Sequence, residues 1–174
     1  MKRGVPRVLA LVLVLSGVAL SAPAFAADPR VPLTQPTLDL PAETGSGTGY
    51  CDFPVQITFQ NYNQYIIRQS TAPDGTTTLQ IAGRARATVT NTVTGESVSY
   101  NISGPGTVVI APDGAFSIDT HGPNLLWTTV ANSYSGVPQI SYTTGHVTLH
   151  VRASGVTDSY NLAGSQTDVC AVLA

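Results

Sequence analysis

The residues of this chain most able to do acid–base chemistry are its three histidines. His121 follows Asp119 at a spacing of two, so both side chains project from one face of a predicted strand. A carboxylate beside an imidazole can orient it as a general base, which would suit an isomerase or a hydrolase. The alternative is a surface ion pair. We favour the ion pair because the chain has no Gly-x-Ser-x-Gly nucleophile elbow.

The other two histidines, His146 and His150, lie four residues apart on another predicted strand. Their separation along that strand is about 13 Å, which is too far for both to bind one ion directly. The pattern therefore indicates a solvated strand face, and the sequence predicts no metal site and no cofactor.

Two arginines, Arg84 and Arg86, alternate with glycine and alanine, so their guanidinium groups share one face and small side chains occupy the other. If the arginine side chains pointed into the interior of a barrel, they could bind a ligand that carries a carboxylate. We favour the outward orientation, in which they form a solvated stripe, because Ile81 and Val89 belong to the small-residue face.

Trp127 is the only tryptophan and ends the dense apolar run Leu125–Trp127. Packing in the core is the interpretation that we favour. A place at the rim of a ligand mouth, or a platform on which a sugar ring stacks, is the alternative.

The elements that must position these residues are strands. Apolar and polar residues alternate with period two over Val55–Phe59 and Val147–Val151, and helical periodicity is nowhere sustained. Turn signals separate the apolar runs at Pro73-Asp74-Gly75, Thr94-Gly95, Pro112-Asp113-Gly114 and Thr144-Gly145. The spacing predicts an all-β antiparallel meander of about eight to ten strands that closes as a barrel, with a β-sandwich as the alternative.

Cys51 and Cys170 are the only cysteines of the chain. In an exported protein, an even count predicts a disulfide, here joining the first strand to the last residues. Such a bridge leaves no thiol for catalysis or metal binding, and it favours closure of the sheet because it brings the two ends of the domain together.

Export is predicted by a basic start, an apolar run of thirteen residues over Val8–Leu20, and a small-x-small pattern that places cleavage between Ala26 and Ala27. The run is shorter than the about 17–25 residues of a membrane-spanning helix. We expect a signal peptide over 1–26, a disordered leader rich in proline and glycine over 27–50, and a single β domain over 51–174. The predicted location is extracellular.

Removal of the signal peptide changes the charge of the protein. Three of the eight basic residues lie in that peptide, so five remain against all ten acidic residues, which gives a net charge of −5. A mildly acidic chain with no basic cluster argues against nucleic acid as a partner and against anionic lipid.

Three segments resemble a group of small secreted actinobacterial proteins of unassigned function. They are Gly122–Thr129, Ser141–Val147 and the tail Thr167–Ala171. The resemblance implies no catalytic or binding residues. In strand count alone, the meander is also similar to calycin-type barrels such as lipocalins and allene oxide cyclase.

These observations predict a secreted, non-enzymatic β-barrel protein that binds a small apolar molecule or an envelope component such as a polysaccharide. One alternative is an enzyme of isomerase or hydrolase type that uses His121 and Asp119. Another is a secreted protease inhibitor, which would need an exposed rigid loop held by nearby disulfides.

Overall fold

The computed structural model describes residues 30–174, so the predicted signal peptide and its cleavage site lie outside the described residues. The strands are β1 (Val31–Pro32), β2 (Leu38–Leu40), β3 (Val55–Thr71), β4 (Thr77–Asn91), β5 (Ser97–Asn101), β6 (Gly106–Ile110), β7 (Phe116–His121), β8 (Asn124–Trp127), β9 (Ile140–Val151) and β10 (Thr157–Asp168). A 3₁₀ turn covers Val130–Asn132, and the short helix α1 covers Val169–Val172. In this part of the chain, no helix is long and apolar enough to cross a membrane.

All ten strands belong to one sheet, and every pairing is antiparallel. The main path runs β1-β3-β4-β6-β7-β9-β10, with β2 beside β3, β5 beside β4 and β8 beside β9. The predicted all-β antiparallel fold is confirmed, and the eight strands after Cys51 fall within the predicted range. The path ends at β10, which within residues 30–174 pairs with β9 alone, so the sheet is not closed as a barrel.

Three of the four predicted hairpin turns are present. Gly75, Gly95 and Gly114 have φ values of 88°, 80° and 91° in the turns that join β3 to β4, β4 to β5 and β6 to β7. Positive φ costs glycine little, which is why these positions suit it. In two of the turns an aspartate supports the backbone: Asp74 accepts from the amide of Thr76 at 2.9 Å, and Asp113 makes the equivalent bond.

The hairpin predicted at Thr144-Gly145 is wrong, because β9 continues through both residues. Gly145 has a φ of 106°, and β9 changes partner around it, from β8 over Ile140–Thr143 to β7 over His146–Val151. Its cross-strand neighbour on β10 is Gly164, and a Cβ on either glycine would overlap the backbone of the other strand. Gly145 therefore lets the backbones of β9 and β10 approach each other closely, and it does not form a turn.

The disordered leader predicted for 27–50 does not match the structure over residues 30–50. Val31–Pro32 pairs with the second half of β3, Leu38–Leu40 pairs with its first residues, and Leu40 is buried in the core. The glycine-rich loop that follows is organised by Glu43, whose carboxylate accepts from the amides of Gly47 at 2.9 Å and Gly49 at 2.8 Å. A side-chain acceptor thus orders a loop whose composition alone favours disorder.

One core cluster holds the β2, β3, β4, β8 and β9 strands together with the C-terminal residues. Alternate residues of β3 and β4 point into it, as the period-two pattern predicts. Its buried members are Leu40, Cys51, Val55, Ile57, Ala85, Ala87, Val89, Ile102, Leu125, Ile140, Val169 and Leu173.

The C-terminal residues are attached to this core by three kinds of contact. The disulfide between Cys51 and Cys170 is present, as predicted, with the two Cα atoms 5.5 Å apart. Leu173 is buried, and its carbonyl accepts a 3.0 Å hydrogen bond from Nδ2 of the buried Asn91. Within the C-terminal segment itself, Asp168 caps α1 by accepting from the amide of Ala171 at 3.2 Å. The bridge therefore joins the segment between β2 and β3 to C-terminal residues that also pack on the core.

Candidate functional site

Arg84 and Arg86 lie on the outer face of β4. Their side chains are exposed, whereas Ala85 and Ala87 are buried in the core. The outward orientation predicted from the small-residue alternation is confirmed. The arginines do not line an interior cavity.

The two arginines nevertheless line a concave surface. An open depression of about 370 Å³ is bordered by Asn61, Arg84, Ala85, Arg86, Asn101 and Ser103. Asn101 of β5 is the cross-strand neighbour of Arg86. Asn61 lies where a bulge interrupts the pairing of β3 with β4, and its φ of 50° is the only positive value of a non-glycine residue among the described residues. The bulge thus helps to form the wall of the depression.

The depression presents positively charged hydrogen-bond donors, the two guanidinium groups. Within residues 30–174, neither Arg84 nor Arg86 has a carboxylate within 4.0 Å, and Arg152 is the arginine that forms an ion pair. Two asparagines, Asn61 and Asn101, and Ser103 line the same depression as the two arginines. Such a surface can bind a carboxylate or a phosphate group.

A second group of residues forms where β7 meets β9. His121 faces His146 across the two strands, and Asp119 lies two residues before His121 on the same face. Oδ1 of Asp119 lies 3.0 Å from Nε2 of His146 and 3.4 Å from Nε2 of His121. The two imidazole rings are stacked, with centroids 4.1 Å apart and planes inclined by 10°. We call Asp119, His121 and His146 the histidine cluster.

The sequence predicted only part of the histidine cluster. Asp119 and His121 were expected to share a face at a strand end, and they do. The approach of His146 was not expected, because it comes from a different strand and depends on the register between β7 and β9. The only sequence signal for it is that each of the two histidines directly adjoins a glycine, Gly122 or Gly145.

His150 takes part in a separate arrangement, as its spacing from His146 predicts. Its Nδ1 lies 2.5 Å from Oδ1 of Asp158, and Nε of Arg152 donates to the other carboxylate oxygen at 2.7 Å. Hydrogen bonds from Arg152 and then from His150 hold the pKa of the Asp158 carboxyl below its ordinary value. This carboxylate is therefore already occupied by two partners.

A shallow groove connects the two arrangements. Its volume is about 270 Å³, and Asp119 and His150 both line it. The residues between them that carry hydroxyl groups are Thr107, Ser117, Thr148 and Ser159. The groove is open and is lined by both polar and apolar residues, so it offers no enclosed apolar site.

Trp127 lies on β8 and is half-buried against the core cluster. Its ring centroid is 6.3 Å from that of Phe59, which in turn lies edge-on to Tyr62 at 5.8 Å. The structure thus bears out the packing role of Trp127. The tryptophan does not line either of the two depressions.

Comparison of the chain with protein-family models, with curated proteins and with solved structures finds no match. The function must therefore be argued from the two surface sites themselves.

Proposed function

We propose that this protein is a secreted, non-enzymatic binding protein that holds an anionic component of a cell envelope, such as a polysaccharide carrying carboxylate or phosphate groups. One observation carries the proposal: two arginines that have no carboxylate within 4.0 Å among residues 30–174 line the same concave surface of an acidic protein. Export rests on the signal-like start of the sequence and on the disulfide.

The arrangement of donors favours an anion. Arg84 and Arg86 are alternate residues of one strand, so their Cα atoms are about 7 Å apart. Their long side chains can converge on one oxyanion or hold two neighbouring anionic groups of a polymer. The amides of Asn61 and Asn101 add neutral donors at the edge of the depression.

The open shape of the depression favours a polymer over an enclosed small molecule. Sites for small apolar ligands are enclosed and bury most of the ligand, whereas this depression is open and five of its six lining residues have polar side chains. A polymer chain can cross such a surface, and its repeated charged groups raise the effective concentration of ligand. We therefore favour an envelope component over a small apolar molecule as the ligand.

The test is binding of three soluble polymers to the oxidised mature protein, measured by calorimetry. They are poly(glycerol phosphate), polygalacturonate and neutral dextran. We expect the two anionic polymers to bind and dextran not to bind, and the affinity to fall as salt is added.

The decisive variant is Arg84→Gln/Arg86→Gln. A hydrogen bond to a charged group contributes about 1.5–3 kcal/mol, and exposure reduces this, so we expect affinity to fall at least about tenfold. The matched control is Arg30→Gln/Arg68→Gln, which makes the same change in net charge at two other exposed positions. Equal loss in both variants would show that net charge alone attracts the polymer, and an unchanged Arg84→Gln/Arg86→Gln variant would refute the site.

Acid–base catalysis by Asp119 and His121 ranks below binding. The two side chains are in contact, but they are 51% and 63% exposed, and Asp119 also contacts His146 more closely. General acid–base pairs of enzymes act in sites that exclude water from the reacting groups. Asp119 and His121 are exposed and a second imidazole lies beside them, so this pair does not fit such a catalytic site.

A further inference from the structure

We infer that the histidine cluster is a binding site for a divalent transition-metal ion that imidazole favours, Zn²⁺ or Cu²⁺. The inference is independent of the proposed function, because it uses other residues and needs no polymer. It starts from the fact that one carboxylate oxygen and two imidazole nitrogens all lie within 4.8 Å of one another.

The distances within the histidine cluster match those between the ligands of a bound ion. Zn²⁺ lies about 2.0–2.2 Å from nitrogen and oxygen ligands and is tetrahedral, which places neighbouring ligand atoms about 3.3 Å apart. The separations from Oδ1 of Asp119 to the two Nε2 atoms are 3.0 and 3.4 Å. Little movement of the carboxylate is therefore needed to accept an ion.

The imidazole rings need one rearrangement. The nitrogen lone pairs lie in the ring planes, and the rings are now nearly parallel at 4.1 Å, so both cannot point at one ion. Rotation of either side chain by its χ angles would remove this obstacle. The side chains of His121 and His146 are 63% and 42% exposed, so solvent leaves room for the rotation.

The backbone beneath the histidine cluster is rigid enough to keep the ligands together. Six consecutive residue pairs join β7 to β9, from Phe116 with Val151 to His121 with His146. The amide of Gly122 also donates to the carbonyl of Gly145 at 2.7 Å, directly beside both histidines. Only side-chain torsions must be ordered when the ion binds, which lowers the entropic cost of binding.

The choice of metal follows from the ligand set. Imidazole with one carboxylate suits Zn²⁺, Cu²⁺ and Ni²⁺, whereas Mg²⁺ and Ca²⁺ prefer oxygen ligands alone. Three protein ligands leave at least one position of the ion for water or for another molecule. Asp119 also lines the groove, so the groove lies beside the histidine cluster.

The test is titration of the metal-free, untagged mature protein with ZnCl₂ and with CuSO₄, with MgCl₂ as the negative control. We expect one Zn²⁺ or Cu²⁺ ion per chain and no binding of Mg²⁺. The chain has three histidines, so imidazole NMR signals can be assigned to single residues. The signals of His121 and His146 should move on addition of Zn²⁺, and that of His150 should not.

The variants His121→Ala and His146→Ala should each weaken Zn²⁺ binding at least about tenfold, since even the outer partners of metal ligands are worth about 10–100-fold. His150→Ala is the matched control and should change affinity less than twofold. The proposal is overturned if Zn²⁺ gives no saturable binding, or if His150→Ala weakens binding as much as the other two. Because all three histidines are on the surface, circular dichroism can verify that each variant is folded. Loss of polymer binding by Arg84→Gln/Arg86→Gln would leave this result untouched.

Discussion

Removal of the disulfide between Cys51 and Cys170 should destabilise the protein mainly through the unfolded state. The two residues are 119 positions apart, so the bridge closes a long loop in the unfolded chain. In the chain-entropy model, a loop of this size gives a stabilisation of about 5 kcal/mol at 25 °C. The native state should persist without the bridge, because Leu173 stays buried and Asn91 still bonds its carbonyl.

The assay is urea unfolding of the oxidised protein, the reduced protein and the double variant Cys51→Ala/Cys170→Ala. We expect the free energy of unfolding to fall by about 4–5 kcal/mol in both altered forms, with the native circular dichroism spectrum unchanged. Agreement between the reduced protein and the double variant separates the effect of the bond from that of the lost sulfur atoms. A loss below about 1 kcal/mol would refute the reasoning, since it would mean that the unfolded chain is not restricted by the bridge.

Three further predictions concern single residues. Thr143→Val should leave the free energy of unfolding unchanged or raise it by about 1 kcal/mol in a denaturant titration. The reason is that the buried Thr143 hydroxyl has no hydrogen-bond partner in the described chain. A clear fall in the free energy of unfolding would show that the hydroxyl does have a partner. Gly83→Ala should lower the free energy of unfolding by about 2–3 kcal/mol in the same assay, because the φ of Gly83 is 146° and a Cβ would overlap the carbonyl of Asn63. Gly95→Ala is the control: a Cβ at Gly95 meets open space, so this variant should lower the free energy of unfolding by about 1 kcal/mol. Backbone hydrogen bonds lower the pKa of Glu43 from 4.5, so its contribution to stability is present above pH 4.5 and is lost as the pH falls through the lower, folded-state pKa. Glu43→Gln should therefore show a weaker decline of melting temperature below pH 4.5, and an unchanged profile would contradict this assignment.

Turn chemistry predicted much of the fold because it is local. An aspartate or threonine followed by glycine specifies a tight turn within four residues, and three such signals gave correct hairpins. The signal at Gly145 failed because positive φ serves equally well in a kinked strand. The two cases are distinguished by Gly164, nineteen residues away on β10. Because Gly164 has no side chain, the backbone of Gly145 can approach β10 closely. Sequence alone does not reveal that partner.

The order of residues 30–50 was missed for a related reason. Prolines and glycines favour disorder when each residue is considered by itself. The structure supplies partners from elsewhere: β3 pairs with Leu38–Leu40, and the loop amides find the carboxylate of Glu43. Leu38 and Leu40 could have been recognised as a short apolar alternation, but three residues are too few to predict a strand.

Only part of the histidine cluster could be predicted from the sequence. The pair Asp119 and His121 follows from strand geometry, since residues two apart share a face. His146 joins them only through the register of β7 on β9, and a slip of two residues would place Thr144 or Thr148 opposite His121 instead. The chain between the two strands contains β8 and a 3₁₀ turn, so no short hairpin sets that register. The six residue pairs between β7 and β9 define it, and the bond from Gly122 to Gly145 continues this pairing next to both histidines. The glycine that misled the turn prediction thus lies next to the pair of imidazoles that the β7–β9 register brings together.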